Sequence, residues 1–185
     1  ADTLSLHDAL PIFISRLKAS TISGIQNYSN KMAVWLQDPN NGVDCEEKKE
    51  AMLHMFDQSC VALIYGSAGT GKSTLINHLS HYFAANSKLF LAQTNPAVDN
   101  LKRKVTAADS EYMTIAKFVK RSNIRTEYDV LVIDECSTVS NKDMWQVLQK
   151  AQFKILILVG DTYQISAIRF GNWFSVARAF IPETA

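Results

Sequence analysis

The stretch 66–74 reads GSAGTGKST and carries the residue types that bind a chain of phosphates. It fits the pattern G-x-x-x-x-G-K-[ST], in which glycines let the backbone wrap around phosphate groups and turn N–H groups toward them. Lys72 is expected to place a positive charge on the β- and γ-phosphates, and the Ser73 hydroxyl to ligate Mg²⁺. The predicted phosphate-binding residues are Gly66, Ser67, Ala68, Gly69, Thr70, Gly71, Lys72, Ser73 and Thr74.

A second candidate group is the acidic pair Asp134 and Glu135, which directly follows an apolar run. An Asp at the carboxyl end of a strand can hold Mg²⁺, and the Glu after it can polarise the water that attacks a γ-phosphate. The alternative is a solvated loop, which such a pair more commonly marks. The pair lies far enough after Lys72 for strand–helix units to intervene, which favours the catalytic role.

Four short apolar runs predict the strands that would position these groups, at 61–65, 88–94, 129–134 and 154–161. Continuous runs of this length are typical of strands buried on both faces of a parallel sheet. Apolar residues at helical spacing fill the intervals: Leu75, Ile76, Leu79, Tyr82 and Phe83; Ala97, Val98, Leu101 and Val105; Met144, Val147, Leu148 and Ala151. The prediction is an α/β fold, a mainly parallel sheet flanked by helices.

The chain before residue 59 has helical periodicity instead. Helices are predicted over 22–36 and 46–57, the second with two glutamates in its first turn. We therefore expect a helical segment over 13–58 and a nucleotide-binding domain over 59–185. Residues 1–12 are expected to be a non-native leader because they resemble a translated sequencing adapter.

Composition limits the class of protein. The chain has 185 residues, 47% of them hydrophobic and 20% charged, which is typical of a globular domain. A net charge of +1 means that any basic binding surface must be local. Three widely spaced cysteines favour reduced thiols and a cytoplasmic location, and no run of about 18 apolar residues is present to span a membrane.

Taken in order along the chain, five segments resemble the first RecA-like motor domain of superfamily 1 helicases, a RecD-like branch of the P-loop NTPases. The segments are GSAGTGKST (66–74), QTNPAVDNL (93–101), TIAKF (114–118), DECS (134–137) and VGDTYQI (159–165). One departure from the family is the absence of a glutamine in 46–52, where members usually carry one that reads adenine.

The resemblance implies an ATP- and Mg²⁺-dependent hydrolase that translocates on or unwinds nucleic acid. Lys72, Asp134 and Glu135 would be catalytic, with Ser73 and Asp134 holding the metal. Gln164 would sense the γ-phosphate and couple it to the nucleic acid. A second RecA-like domain in the full-length chain would supply an arginine finger, so that the 185 residues alone would bind nucleotide and hydrolyse it poorly.

The resemblance also implies contacts with single-stranded nucleic acid, with DNA favoured over RNA, through Thr94, Asn95 and Thr114. Hydroxyl and amide groups hydrogen-bond phosphate oxygens without reading the base sequence. Seven basic residues near these segments form either a local positive track or a solvated face: Lys102, Arg103, Lys104, Lys117, Lys120, Arg121 and Arg125.

Two other functions fit the phosphate loop and the acidic pair alone. One is an ATPase that remodels a protein partner, which the segment 93–101 and the basic clusters argue against. The other is a nucleotide-binding scaffold without catalysis, which has no use for Glu135 as a base.

Overall fold

The computed structural model describes residues 6–67 and 69–161. Its α-helices are α1 Leu6–Ser20, α2 Tyr28–Gln37, α3 Glu46–His54, α4 Lys72–Tyr82, α5 Asn95–Lys104, α6 Ile115–Lys120 and α7 Asn141–Lys150. Its strands are β1 Val61–Tyr65, β2 Lys88–Ala92, β3 Ser110–Thr114, β4 Val130–Ile133 and β5 Ile155–Gly160. None of the helices within these ranges is both long and apolar enough to cross a membrane.

The strands form one parallel sheet in the order β1-β5-β4-β2-β3. Parallel strands all end at the same edge, so that the segments following them meet there. The three central strands are buried along their whole length, as their continuous apolar runs predict. The predicted α/β fold, a parallel sheet flanked by helices, is confirmed.

Each face of the sheet packs against its own layer of helices. On one face, α2 to α5 contribute residues such as Met32, Met52 and Leu79 to the buried core. On the other face, α1, α6 and α7 contribute residues such as Leu17 and Phe118. Both layers are needed because a sheet of continuous apolar strands has no polar face to leave in water.

The sequence prediction missed one strand. It gave four strands, whereas the sheet has a fifth, β3, at the edge beside β2. Of its residues only Met113 is buried, because an edge strand packs on one side only and needs no continuous apolar run. Such a short, polar segment carries little signal of its own.

The predicted helices in the first 60 residues exist but begin or end elsewhere. The prediction of a helix over 22–36 started too early, since α2 begins at Tyr28. The preceding chain approaches the turn after α3 so closely that a Cβ on Gly24 would lie 2.1 Å from the Asp57 carbonyl oxygen. The prediction over 46–57 ran too long, because α3 ends at His54.

Candidate functional site

The phosphate loop connects β1 directly to α4, as its motif requires. Gly69 and Gly71 adopt φ angles of 84° and 83°, a left-handed conformation that costs side-chain-bearing residues about 1–2 kcal/mol. Gly71 is the N-cap of α4, so the free N–H groups of that helix face the space enclosed by the loop. A helix N-terminus with this approach is a binding site for anions.

Lys72 lies inside the loop. Its Nζ donates hydrogen bonds to the carbonyl oxygens of Gly66, at 2.6 Å, and Ser67, at 2.8 Å. Thr70 closes the same turn, since its Oγ1 donates to the Ser67 carbonyl at 2.8 Å. The ammonium group is thereby held beside the start of α4, where a phosphate would arrive.

The acidic pair, Asp134 and Glu135, lies two strands away from the phosphate loop, at the same edge of the sheet. Tyr65 pairs with Gly160 of β5, and Ile133 of β4 pairs with Leu158, so Asp134 and the loop stand on either side of β5. Two strand spacings correspond to about 10 Å. Burial raises the pKa of the Asp134 carboxyl, and the positive charges of Lys72 and Lys104 oppose that rise.

Glu135 occupies a strained backbone position, with φ 51° in the left-handed region. It is the N-cap of a short 3-10 helix, Cys136–Thr138, and its carbonyl accepts from the Thr138 hydroxyl at 2.8 Å. Its side chain is exposed at the sheet edge. Partial burial and the neighbouring charge of Asp134 raise the pKa of its carboxyl, which suits a group that must accept a proton.

The oxygen donors at this edge fit Mg²⁺. Ser73 offers a hydroxyl from the first turn of α4, and Asp134 offers a carboxylate. Mg²⁺ takes few protein ligands and completes its shell with water and phosphate oxygens. No cluster of three or more His, Cys, Asp or Glu side chains exists in the described ranges, so an all-protein cage is not the form of site found there.

Two cavities flank the phosphate loop. One, of about 410 Å³, lies between α4 and α5 and is lined by Ser73, Thr74 and Lys104 with the loop glycines. The other, of about 270 Å³, lies between α3 and the loop and is lined by Lys48 and Lys72 among others. The loop thus has open space on both sides for a bound ligand.

Thr94 and Thr114 lie at the far side of the same edge. Thr94 follows β2, Thr114 is the last residue of the neighbouring β3, and they form the N-caps of α5 and α6. Their Oγ1 atoms accept from the backbone N–H groups of Ala97, at 3.3 Å, and Lys117, at 3.2 Å. Each hydroxyl hydrogen therefore stays available to donate to an incoming oxygen, and Asn95 is exposed beside Thr94.

The structure does not bring the seven basic residues onto one track. Lys104 lines the cavity at the phosphate loop. Arg125 lies at the opposite, amino edge of the sheet, where it pairs with Asp109 at 3.5 Å and stacks over the ring of Tyr128. Of the two alternatives, a positive track and a solvated face, a single track does not hold for all seven, because Lys104 and Arg125 lie at opposite edges of the sheet.

A larger cavity, of about 650 Å³, lies at that amino edge, away from the phosphate loop. Three of its lining residues, Ser87, Asp129 and Lys154, bond to one another. Asp129 accepts hydrogen bonds from the Ser87 backbone N–H at 3.0 Å and from Lys154 Nζ at 2.7 Å. These bonds hold down the pKa of the Asp129 carboxyl, to about 2. The arrangement ties strand starts together and leaves little free charge for a ligand.

A family model described as an AAA domain matches residues 45–184, well over half of the chain. The chain belongs to this family. It is a superfamily 1 helicase-like P-loop domain, which confirms the resemblance drawn from the five segments. Membership of this AAA domain family indicates a nucleotide-binding domain of the NTP hydrolase type.

Two curated relatives are more distant. Replicase polyprotein 1ab of Bat coronavirus HKU9 is 27% identical over 131 aligned residues, which cover 57% of this chain and 2% of that polyprotein. The polyprotein of the same name from Bat coronavirus 512/2005 is 27% identical over 130, with the same coverage. The chain therefore spans a small part of the length of these relatives.

Some predicted positions lie outside the described residues, namely Ala68 and Gln164. One residue at the site was missed by the sequence interpretation. Lys48 of α3 reaches the phosphate loop, although it lies 24 positions before Lys72 and belongs to no motif. Its only sequence signal was its place in a short charged helix just upstream of β1.

Proposed function

We propose that this AAA domain is the ATP-binding and hydrolysing core of a protein that translocates on or unwinds nucleic acid. One observation carries the proposal. The phosphate loop, Asp134 and the two threonines Thr94 and Thr114 follow different strands but share one edge of the sheet. A nucleotide site and a polymer-binding surface on one rigid edge can respond to each other.

Within this proposal, Lys72 and the N–H groups at the start of α4 bind the phosphates. Mg²⁺, held by Ser73 and Asp134, would neutralise charge on the β- and γ-phosphates. Glu135 accepts a proton from the attacking water as the water oxygen bonds to the γ-phosphorus and the bond from the γ-phosphorus to the bridging oxygen breaks. The products are ADP and phosphate, and Glu135 releases its proton when they leave.

Thr94, Asn95 and Thr114 are the proposed contacts with single-stranded nucleic acid. Their hydroxyl and amide groups suit backbone phosphates, so we expect binding without sequence preference. Lys117 and Lys120 project from α6 directly after Thr114 and are exposed, so they can add charge to that surface. DNA is favoured over RNA in this proposal, and the second RecA-like domain is proposed as the partner across the edge.

The experiment is a linkage measurement on the full natural protein that contains this chain. The affinity for a labelled single-stranded oligonucleotide is measured by fluorescence anisotropy without nucleotide, with ADP and with a non-hydrolysable ATP analogue. A motor must bind the strand with different affinities in different nucleotide states. We therefore expect the affinities for the oligonucleotide to differ by at least about fivefold between states. Equal affinities in all three states would oppose a motor, and no binding of either polymer would favour an ATPase that remodels a protein partner.

A further inference from the structure

We propose that Lys48, on the helix preceding β1, is a second phosphate-binding lysine of the nucleotide site. This inference rests on the proposed nucleotide-binding function and adds a residue to it. The side chain of Lys48 crosses over the phosphate loop at Gly71. A Cβ built on Gly71 would lie 3.2 Å from Lys48 Cε and 3.4 Å from Nζ.

That position places Lys48 beside the backbone N–H groups at the start of α4, where the ammonium group of Lys72 also lies. Gly71 is the N-cap of α4, and the next residue is Lys72 itself. The two lysines line the same cavity of about 270 Å³. Two ammonium groups next to one helix N-terminus repel each other unless an anion lies between or beside them.

The ammonium group of Lys48 also lacks hydrogen-bond partners among the described residues. The side chain is only 22% exposed, and its one ion-pair partner among the described residues is Asp44, at 3.7 Å. That carboxylate is itself 79% exposed, so the pair contributes little and an incoming polyphosphate can displace it. An ammonium with three free donors in a partly covered position is ready to bind an anion.

Phosphate is a better match for Lys48 than a base. A flexible point charge suits the phosphate oxygens, which are common to all nucleoside triphosphates. Contact with a base would instead make binding depend on which base is present. We therefore expect Lys48 to contribute equally to ATP, GTP and inorganic tripolyphosphate.

The test is isothermal titration of the 185-residue chain with the Mg²⁺ complexes of those three compounds. Lys48→Gln keeps an unbranched stem and a polar end, one atom shorter, and removes the charge, so it should weaken all three by about tenfold or more. Lys49→Gln is the matched control, since Lys49 on the same helix pairs with Glu46 at 2.6 Å and does not line the cavity. Asp44→Asn frees Lys48 and should tighten binding by about two- to fivefold.

The outcomes separate this inference from the proposed function. If the unmodified chain binds none of the three compounds, both the role of Lys48 and the proposed function are overturned. If it binds them and Lys48→Gln binds equally well, only the role of Lys48 is overturned. A loss for ATP that leaves GTP and tripolyphosphate unchanged would assign Lys48 to the base and also overturn it. If Lys48→Gln does not fold, as thermal unfolding will show, the Asp44→Asn result decides, and unchanged affinity there counts against the inference.

Discussion

Lys72 and Gly66 close the phosphate loop on itself: the Lys72 ammonium donates to the Gly66 carbonyl oxygen at 2.6 Å. The bond holds the loop in shape and keeps the positive charge beside the N-terminus of α4. A bound phosphate would accept hydrogen bonds from an ammonium group that is already in position. Little of the binding free energy would then be spent on ordering that side chain.

Replacing Lys72 by Ala should weaken MgATP binding by about 10- to 100-fold, because a hydrogen bond to a charged group contributes roughly 1.5–3 kcal/mol. Isothermal titration measures the change, with Lys49→Ala as control. An affinity for Lys72→Ala within threefold of the unmodified chain would remove this lysine from the site.

Asp134→Asn should stabilise the nucleotide-free protein at neutral pH. Burial raises the pKa of this carboxyl, so the folded protein holds the proton more tightly than the unfolded chain does, and the ionised form opposes folding. The gain should disappear below about pH 4, where the carboxyl is protonated in both states. Urea unfolding with EDTA at pH 7 and pH 3.5 checks this, and equal stabilities at pH 7 would contradict it.

The backbone conformation at Glu135 is expected to lower the stability of the fold. At φ 51° a glycine avoids a cost of about 1–2 kcal/mol that any side chain incurs. Glu135→Gly should therefore be more stable than Glu135→Ala by about that amount in urea unfolding. Equal stabilities of the two variants would contradict a strained backbone at position 135.

The chemical role of Glu135 is tested separately with Glu135→Gln. This variant keeps the shape and loses the base, so it should bind MgATP like the unmodified protein and hydrolyse it at least about 100-fold more slowly. Turnover at the normal rate in the full natural protein would show that another group accepts the proton.

Lys117 and Arg125 offer a matched pair for the nucleic-acid surface. Lys117 is exposed beside Thr114 at the carboxyl edge, whereas Arg125 pairs with Asp109 at the amino edge. Lys117→Ala should weaken binding of single strands of any sequence and reduce the slope of log K against log salt by about 1. Arg125→Ala should change neither the affinity nor the salt slope. If Arg125→Ala changed both and Lys117→Ala changed neither, the polymer would lie at the amino edge, which would contradict our proposal.

Asp129 should support the fold rather than the activity. It joins the chain before β2 to the chain before β5 through Ser87 and Lys154. Its pKa of about 2 means that the carboxylate stabilises the fold above about pH 4, the unfolded value, and that this support is lost as pH falls toward 2. Asp129→Ala should lower the free energy of unfolding by roughly 1–3 kcal/mol at pH 7, and leave MgATP affinity unchanged.

The sequence predicted what depends on local pattern. The bounds of β1 and the position of the loop after it were predicted correctly, because the glycines, the lysine and the apolar run are neighbours in the chain. The polar edge strand β3 was missed because its position is decided by pairing with β2, not by its own composition.

The contribution of α3 to the site was missed for a similar reason. Lys48 meets Gly71 only because α3 packs beside α4 in the tertiary structure. The position of Arg125 stayed open because a charge run does not reveal which end of a sheet its loop occupies. Long-range packing, which no short motif encodes, decides both.

The most direct test of the central claim is ATP hydrolysis by the full natural protein that contains this chain. The rate is measured without polymer, with single-stranded DNA and with single-stranded RNA, alongside Lys72→Ala. We predict stimulation by one polymer, DNA favoured, and loss of all turnover in the variant. Turnover that is indifferent to both polymers would contradict a nucleic-acid motor, even if Lys72 proved essential.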